Sequence, residues 1–277
     1  MFRVRQTARF RQMNRTFLAL LQFDGRGFQG WQRQAAGRTV QGEVERVLER
    51  LAGQHVPAHA AGRTDAGVHA DAMGVSFILP DRWTSTKLRR ALNALLPPDC
   101  WVMTVNAMTD GFHARKSALS RRYRYLIGTD DASASPFRHP FEWALGRPVR
   151  MELLAACARQ LPGSHEFEAF SVRGQPRAHH RCDIQLAEWR PRAADRGVEF
   201  HVQANRFLHH MVRMLVGTMV DIALERRPAT DFALLLTSSD NQETSAPAPP
   251  QGLYFARVEY PASAFLANHQ AHAVVAS

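Results

Sequence analysis

Hydrophobic and polar residues form short alternating runs separated by helical patterns, and the order of these runs occurs twice. The elements that we predict for the first half are a strand at 16–23, a helix at 40–52, strands near 56–61 and 73–79, a helix at 86–95 and a strand near 101–107. Thr39 and Ser85 stand where helices begin, and Gly53 stands where the first helix should end.

The second half follows the same order with longer insertions. Its predicted elements are strands at 122–127, 183–190, 198–204 and 253–260, and helices at 151–160, 207–224 and 231–237. Both halves therefore have the βαββαβ order of a ferredoxin-like unit. We predict an α+β fold of two tandem ferredoxin-like, RRM-like halves, whose largely antiparallel sheets form one platform for RNA.

The expected boundaries follow from this repeat. Residues 16–115 form the first half, which carries the loop with the candidate catalytic residue, and residues 116–261 form the second. Residues 1–15 hold five arginines and no acid, which is compatible with a transit peptide or an RNA-contacting arm; we expect a disordered basic tail. Residues 262–277 are expected to form a C-terminal tail.

Composition narrows the class of partner. The 277 residues carry a formal net charge of +10, which favours an acidic partner, with nucleic acid ahead of an anionic membrane surface; the charge could also serve solubility alone. No apolar run reaches the roughly 20 residues of a membrane helix. The three scattered cysteines form no CxxC pair and favour a reducing compartment, so we expect a cytoplasmic protein that does not bind membranes.

The segment AGRTDAGVHA, residues 61–70, holds the first candidate for chemistry. Arg63 and Asp65 stand between Gly62 and Gly67, and glycines permit tight turns and close approach of another backbone. Such a loop can present a carboxylate to a cleft. The plain alternative is an aspartate that caps a turn.

The predicted helix after Asn205 is apolar on almost every side, yet Arg213 lies in its middle. A buried guanidinium needs an anion, and Asp221 is badly placed to supply one. Asp65 is the natural partner, and the pairing would favour an ionised carboxylate, as nucleophilic or base chemistry requires. Alternatively, Arg213 extends along its stem to the surface.

Basic and aromatic residues alternate at 112–128, which suits RNA. Tyr123 and Tyr125 share one strand face, and Arg122 and Arg124 share the other, although both tyrosines could instead be core residues. Two further segments carry similar residues. In the loop 23–34 we expect Phe28 and Trp31 to be exposed, and in the segment 173–181 Arg177 could bind phosphate or belong to an ordinary basic loop.

Metal chemistry is not expected. The pairs His179–His180 and His209–His210 lack HExxH spacing, and adjacent histidines on a helix point in different directions. A metal-dependent nuclease would also need clustered carboxylates. A non-catalytic RNA-binding protein would need the basic segments, but neither Asp65 nor a buried Arg213.

Eight ordered motifs give the chain a resemblance that covers nearly all of residues 16–260. The chain resembles the tRNA pseudouridine synthase A family. The matching motifs are FDGxxFxGWQxQ at 23–34, TVQ at 39–41, AGRTDAGVHA at 61–70, FHAR at 112–115, RRYRY at 121–125, GSHEFEAFS at 163–171, FLHHMVRMLVG at 207–217 and GLYFARVEYP at 252–261.

The resemblance implies an enzyme that isomerises uridines 38, 39 and 40 of tRNA, works as a homodimer and uses no cofactor. It implies that Asp65 is the essential catalytic residue, that Arg213 pairs with it, and that Arg63 helps to displace the target base. Tyr123 would stack on the uracil, with Leu253 nearby. The predicted substrate-binding residues are Tyr123, Leu253, Phe112, His113, Arg115, Lys116 and Arg177.

Overall fold

The computed structural model describes residues 14–172 and 179–266. Ten strands and five α-helices lie in this part of the chain. The strands are β1 (Asn14–Phe23), β2 (His59–Ala60), β3 (His69–Pro80), β4 (Cys100–Met108), β5 (Ser120–Gly128), β6 (Trp143–Ala144), β7 (Gly163–Glu166), β8 (Arg181–Pro191), β9 (Val198–Ala204) and β10 (Leu253–Glu259). The helices are α1 (Val40–Ala52), α2 (Ser85–Leu95), α3 (Met151–Ala158), α4 (Met211–Ala223) and α5 (Asp231–Thr237).

The strands form one mixed sheet in which each half keeps the ferredoxin-like order. The main path runs β4-β1-β3-β10-β5-β9-β8-β7, with β2 beside β3 and β6 beside β5. The pairs along this path are antiparallel except where β3 meets β10. The α+β fold with a largely antiparallel sheet is therefore confirmed.

A short parallel contact between β3 and β10 joins the two halves. Tyr254 pairs with His69 and Phe255 with Ala70, so the last strand of the second half completes the sheet of the first. The pairing lies at the first residues of β3, directly after the segment that carries Asp65. The joint between the halves thus brings residues from distant parts of the chain to that segment.

Local signals explain most helix ends. The Thr39 hydroxyl accepts a hydrogen bond from the Gly42 amide at the start of α1, and Gly53 ends that helix in the left-handed region at φ 75°. Thr84, and not Ser85, caps α2. Helix α4 begins at Met211 and not at 207, because His210 adopts a left-handed conformation, with φ 63°, that no α-helix can include.

Several other predicted elements differ from the structure. The strand predicted near 56–61 is reduced to the two residues of β2, and β7 was not predicted. Strand β1 already includes Asn14 and Arg15, two residues that were predicted to lie in the N-terminal tail. Phe265, which lies in the predicted C-terminal tail, forms a bridge with Met108 at the end of β4. Residues 1–13 and 267–277 lie outside the described residues.

A hydrophobic core runs through both halves and includes most of α4. Helix α2 packs on β4, and α3 packs on α4 and β8. Across the described ranges, no helix combines the length and apolar character needed to cross a bilayer.

Candidate active site

Where the two halves meet, the described residues form an open cleft of about 1370 Å³. Asp65 lines it from the turn between β2 and β3, Tyr123 from β5, Arg213 from α4, and Leu253 from the first position of β10. The cleft therefore combines four residues that are far apart in sequence, and three of them belong to the second half.

The segment 24–31 supports the Asp65 turn from behind. The Trp31 amide donates to the Thr64 carbonyl at 3.0 Å, and the Gly67 amide donates to the Phe28 carbonyl at 3.4 Å. Phe28 and Trp31 are buried, at 4% and 3% exposure, so the expectation that they are exposed RNA contacts is wrong. Their rings belong to the hydrophobic core, and this anchors the segment that supports Asp65.

His69 ties the two segments together at the start of β3. Its Nδ1 accepts the Gly25 amide at 3.1 Å, its Nε2 lies 3.3 Å from the Pro140 carbonyl, and its ring stacks on Tyr254 at 4.8 Å. An acceptor Nδ1 and a donor Nε2 define the neutral tautomer. Burial lowers the pKa of His69 below its usual 6.5, although Asp24 opposes the shift.

The Asp65 carboxylate and the Arg213 guanidinium are in contact, with 3.0 Å between Oδ2 and Nη1. The Arg213 Nε also donates to the Ala248 carbonyl at 2.7 Å. Both side chains are mostly buried, at 20% exposure for Asp65 and 14% for Arg213. This guanidinium therefore has an anionic partner and a fixed orientation, and it does not extend to the surface.

Two histidines complete the surroundings of Asp65. His210 Nε2 lies 3.3 Å from Oδ2, and His209 Nε2 lies 3.4 Å from Oδ1. The sequence placed both on the helix, pointing apart, whereas both precede α4 and their rings lie 4.1 Å from each other. Burial lowers the pKa of His210, with Asp65 opposing the shift. The left-handed His210 backbone, which a sequence pattern does not reveal, produces this convergence.

Asp65, His209 and His210 offer one oxygen and two nitrogens within 4.8 Å of one another, a donor set that zinc can use. The surrounding charge opposes a cation, however. The Arg213 guanidinium already contacts Asp65. Five further basic side chains line the same cleft: Arg63, Arg115, Lys116, Arg121 and Arg206. The geometry favours an anionic ligand such as RNA.

Tyr123 is held by two aromatic edges. Its ring centroid lies 4.9 Å from that of Phe207 and 5.1 Å from that of Phe255, both in edge contacts, and burial raises its pKa well above the usual range. Tyr125 is a core residue whose hydroxyl donates to the Pro249 carbonyl at 2.6 Å. Of the two tyrosines, Tyr123 is the one that lines the cleft.

Most predicted substrate-binding residues line the cleft, with two exceptions. Tyr123, His113, Arg115, Lys116 and Leu253 line it, and so does Arg63, which was predicted to displace the target base. Phe112 instead packs against Tyr260 at 5.0 Å in a separate apolar cluster, so the structure does not bring it to the cleft. Arg177 lies outside the described residues.

The arginines predicted around Tyr123 have unequal roles. Arg124 pairs with Asp71 at 2.6 Å, and Arg122 donates to the Gln203 side chain, so both are engaged within the protein. Arg121, on the strand face of Tyr123, lines the cleft and donates to the Asn205 carbonyl at 2.7 Å. The sequence did not single out Arg121, Arg206 or Phe207 as site residues; the RRYRY and FLHHMVR motifs that contain or adjoin them were the available signal.

Comparison with known proteins identifies the family. The sequence model of the tRNA pseudouridine synthases matches residues 19–115 and 157–261. The chain belongs to this family. As a tRNA pseudouridine synthase it is an isomerase. Asp65 lies in the first matched range and Arg213 and Leu253 in the second, while Tyr123 lies between them.

Curated relatives of this tRNA pseudouridine synthase match along most of their length. Proteins named tRNA pseudouridine synthase A from Nostoc sp., Moorella thermoacetica and Chlorobium luteolum are 37%, 36% and 38% identical to it, over 87% of this chain in each case. The matches cover 85%, 97% and 94% of the three relatives. The resemblance to the A family is therefore confirmed over most of the chain.

Proposed function

We propose that this protein converts uridine to pseudouridine at positions 38, 39 and 40 in the anticodon stem-loop of tRNA, with Asp65 as the catalytic carboxylate. The observation that carries the proposal is the Asp65–Arg213 contact inside a cleft lined by basic side chains. The pair places a carboxylate, which can act as nucleophile or base, where an RNA backbone would be attracted. The positions come from the family resemblance.

The reaction breaks the bond between uracil N1 and ribose C1′, turns the base and forms a bond from C5 to C1′. The C5 hydrogen leaves as a proton and N1 gains a proton, so atoms and charge balance within one nucleotide. No oxidant and no external group is required, and the proposal includes no cofactor. An ionised Asp65 can add to C1′, add to C6 or remove the 2′ proton, and each role needs the same carboxylate.

Three cleft residues are placed to extrude the target base and to bind it. A nucleotide must leave its stack before such chemistry, at a cost of a few kcal/mol. In the proposal, Arg63 fills the space that the base leaves and Tyr123 stacks on the extruded uracil, with Leu253 beside it. Support comes from their shared position, because all three line the cleft that contains Asp65.

The partners follow from the resemblance. The proposal includes a homodimer that holds tRNA between its subunits, which a mass measurement in solution would test directly. The cytoplasmic location stays a prediction from the three cysteines, all of which are buried. The domain boundaries at 115 and 261 also stay predictions.

The decisive experiment replaces Asp65 by asparagine and measures pseudouridine formation in an unmodified tRNA transcript. The amide keeps the shape but cannot act as nucleophile or base, so we expect kcat to fall by at least about 10³-fold. Affinity for the transcript should change far less, because basic residues elsewhere in the cleft remain.

Asp71→Asn is the matched control, since Asp71 pairs with Arg124 outside the cleft. It removes an aspartate–arginine pair without touching the proposed site, and we expect kcat within about threefold of the wild type. A wild-type rate for Asp65→Asn would exclude the proposed role. Transcripts in which uridines 38, 39 and 40 are replaced one at a time by cytidine test the positions separately.

A further inference from the structure

The two oxygens of the Asp65 carboxylate have different surroundings. Oδ2 contacts Arg213 Nη1 at 3.0 Å and His210 Nε2 at 3.3 Å. Oδ1 contacts His209 Nε2 at 3.4 Å. Each carboxylate oxygen offers about two lone-pair directions, so the two neighbours can occupy both directions of Oδ2.

The side chains beside Oδ2 are also more buried than the one beside Oδ1. The side chain of Arg213 is 14% exposed and that of His210 29%, whereas that of His209, beside Oδ1, is 40% exposed. Arg213 is further held by the Ala248 carbonyl. Oδ1 therefore faces the more open part of the cleft.

The backbone of His210 explains how its ring reaches Asp65. Its φ of 63° and ψ of −2° are left-handed, which is uncommon for a residue with a side chain. Its carbonyl accepts the Met214 amide at 3.0 Å, so His210 is the N-cap residue that directly precedes α4. A locally strained conformation that persists beside a candidate catalytic group is the observation from which a functional role can be inferred.

We propose that His210 is a positioning residue for the reaction: together with Arg213 it holds Oδ2 of Asp65 and leaves Oδ1 as the oxygen that meets the substrate. The inference rests on the proposed role of Asp65. It requires that Nε2 of His210 carries a proton and donates a hydrogen bond to Oδ2, which accepts it. His210 itself does not contact the reacting atoms.

Two substitutions at His210 separate the effect of side-chain length from the effect of the left-handed backbone. His210→Asn tolerates the left-handed conformation but is too short to reach Oδ2, while His210→Gln restores a donor on a longer side chain. We expect His210→Asn to lower kcat by about 10²-fold, since a small displacement of a catalytic group has that cost. KM and the dissociation constant for a tRNA transcript should stay within about threefold. His210→Gln should recover at least about tenfold in kcat.

Controls keep the proposal testable if one variant folds poorly. His210→Gly removes the ring and the strain together, and it should lose kcat as His210→Asn does. His201→Asn removes a histidine that pairs with a carboxylate, Glu199, away from the cleft. It should keep kcat within about threefold of the wild type.

Three results would overturn the inference. They are a kcat for His210→Asn within about threefold of the wild type, an equal loss of kcat in the asparagine and glutamine variants, and a loss matched by an equal loss of RNA affinity. An active Asp65→Asn protein would instead overturn the proposed function. An inactive Asp65→Asn protein with fully active His210 variants would remove only the positioning role.

Discussion

At the scale of single residues, a buried imidazole organises the segment next to the site. His69 is 2% exposed and uses Nδ1 as an acceptor for the Gly25 amide, which holds the supporting segment 24–31 against β3. A protonated ring has no acceptor, so protonation removes this hydrogen bond. The position of the supporting segment therefore depends on the neutral form of the His69 side chain.

This arrangement predicts a dependence of stability on pH. Burial lowers the pKa of His69 in the folded protein below the 6.5 of an exposed histidine. The unfolded chain therefore binds the proton more readily than the folded protein does. The stabilisation that neutral His69 contributes is complete above pH 6.5, and it is lost as the pH falls from 6.5 through the pKa of His69 in the folded protein. We expect the wild-type free energy of unfolding to fall more steeply between about pH 7.5 and about pH 5.5 than that of His69→Asn.

Urea denaturation at the two pH values measures the difference. His69→Phe keeps a ring against Tyr254 but cannot titrate, so it separates stacking from protonation. Both variants should show a shallower slope, because they lack the titration of His69. Some slope should remain, because His113 and His210, whose pKa values burial also lowers, still titrate in all three proteins. Equal slopes in the wild type and both variants would show that protonation of His69 does not affect stability.

At the scale of elements, the Asp65 turn depends on close contact between two backbones. Gly30 has φ +83°, and a Cβ added there would lie 2.5 Å from the Thr64 carbonyl oxygen. Gly53, at the end of α1, has a similar φ of +75° but nothing within 4 Å of an added Cβ. The two glycines share the conformational requirement and differ in the space around them.

Alanine substitutions at Gly30 and Gly53 separate the strain of a left-handed backbone from the effect of the close contact with Thr64. Gly53→Ala should cost about 1 kcal/mol of unfolding free energy through left-handed strain alone. Gly30→Ala must also move the turn that carries Asp65, so we expect a cost of about 3 kcal/mol and a fall in kcat of about 10²-fold. Urea denaturation measures the free energy of unfolding, and pseudouridine formation in a tRNA transcript measures kcat. Equal effects of the two variants would mean that the backbone contact at Thr64 does not position Asp65.

The elements also show which signals a sequence carries. Local signals at Thr39 and Gly53 predicted both ends of α1, and the buried cation at Arg213 predicted that an anion must lie near it. The burial of Trp31 could not be read locally, because its neighbours come from remote segments. The start of α4 was misplaced because the apolar pattern continues through residues that the His210 backbone excludes from the helix.

At the scale of the whole molecule, the cleft belongs to neither half alone. Arg63 and Arg115 come from the first half, and Lys116, Arg121 and Arg206 come from the second, around the β3–β10 joint. Joining the halves therefore concentrates part of the formal charge of +10 beside Asp65. A cationic cleft of this kind attracts an RNA backbone whatever its sequence.

This distribution predicts how salt weakens tRNA binding. Each phosphate contact releases counterions, so the logarithm of the association constant falls linearly with the logarithm of salt concentration. Arg115→Gln and Lys116→Gln should each reduce that slope by about one unit while weakening binding uniformly across tRNA sequences. Lys87→Gln, on the exposed face of α2 and outside the cleft, removes the same charge and should leave the slope unchanged. If all three variants changed the slope equally, the net charge of the protein, and not the cleft, would govern binding.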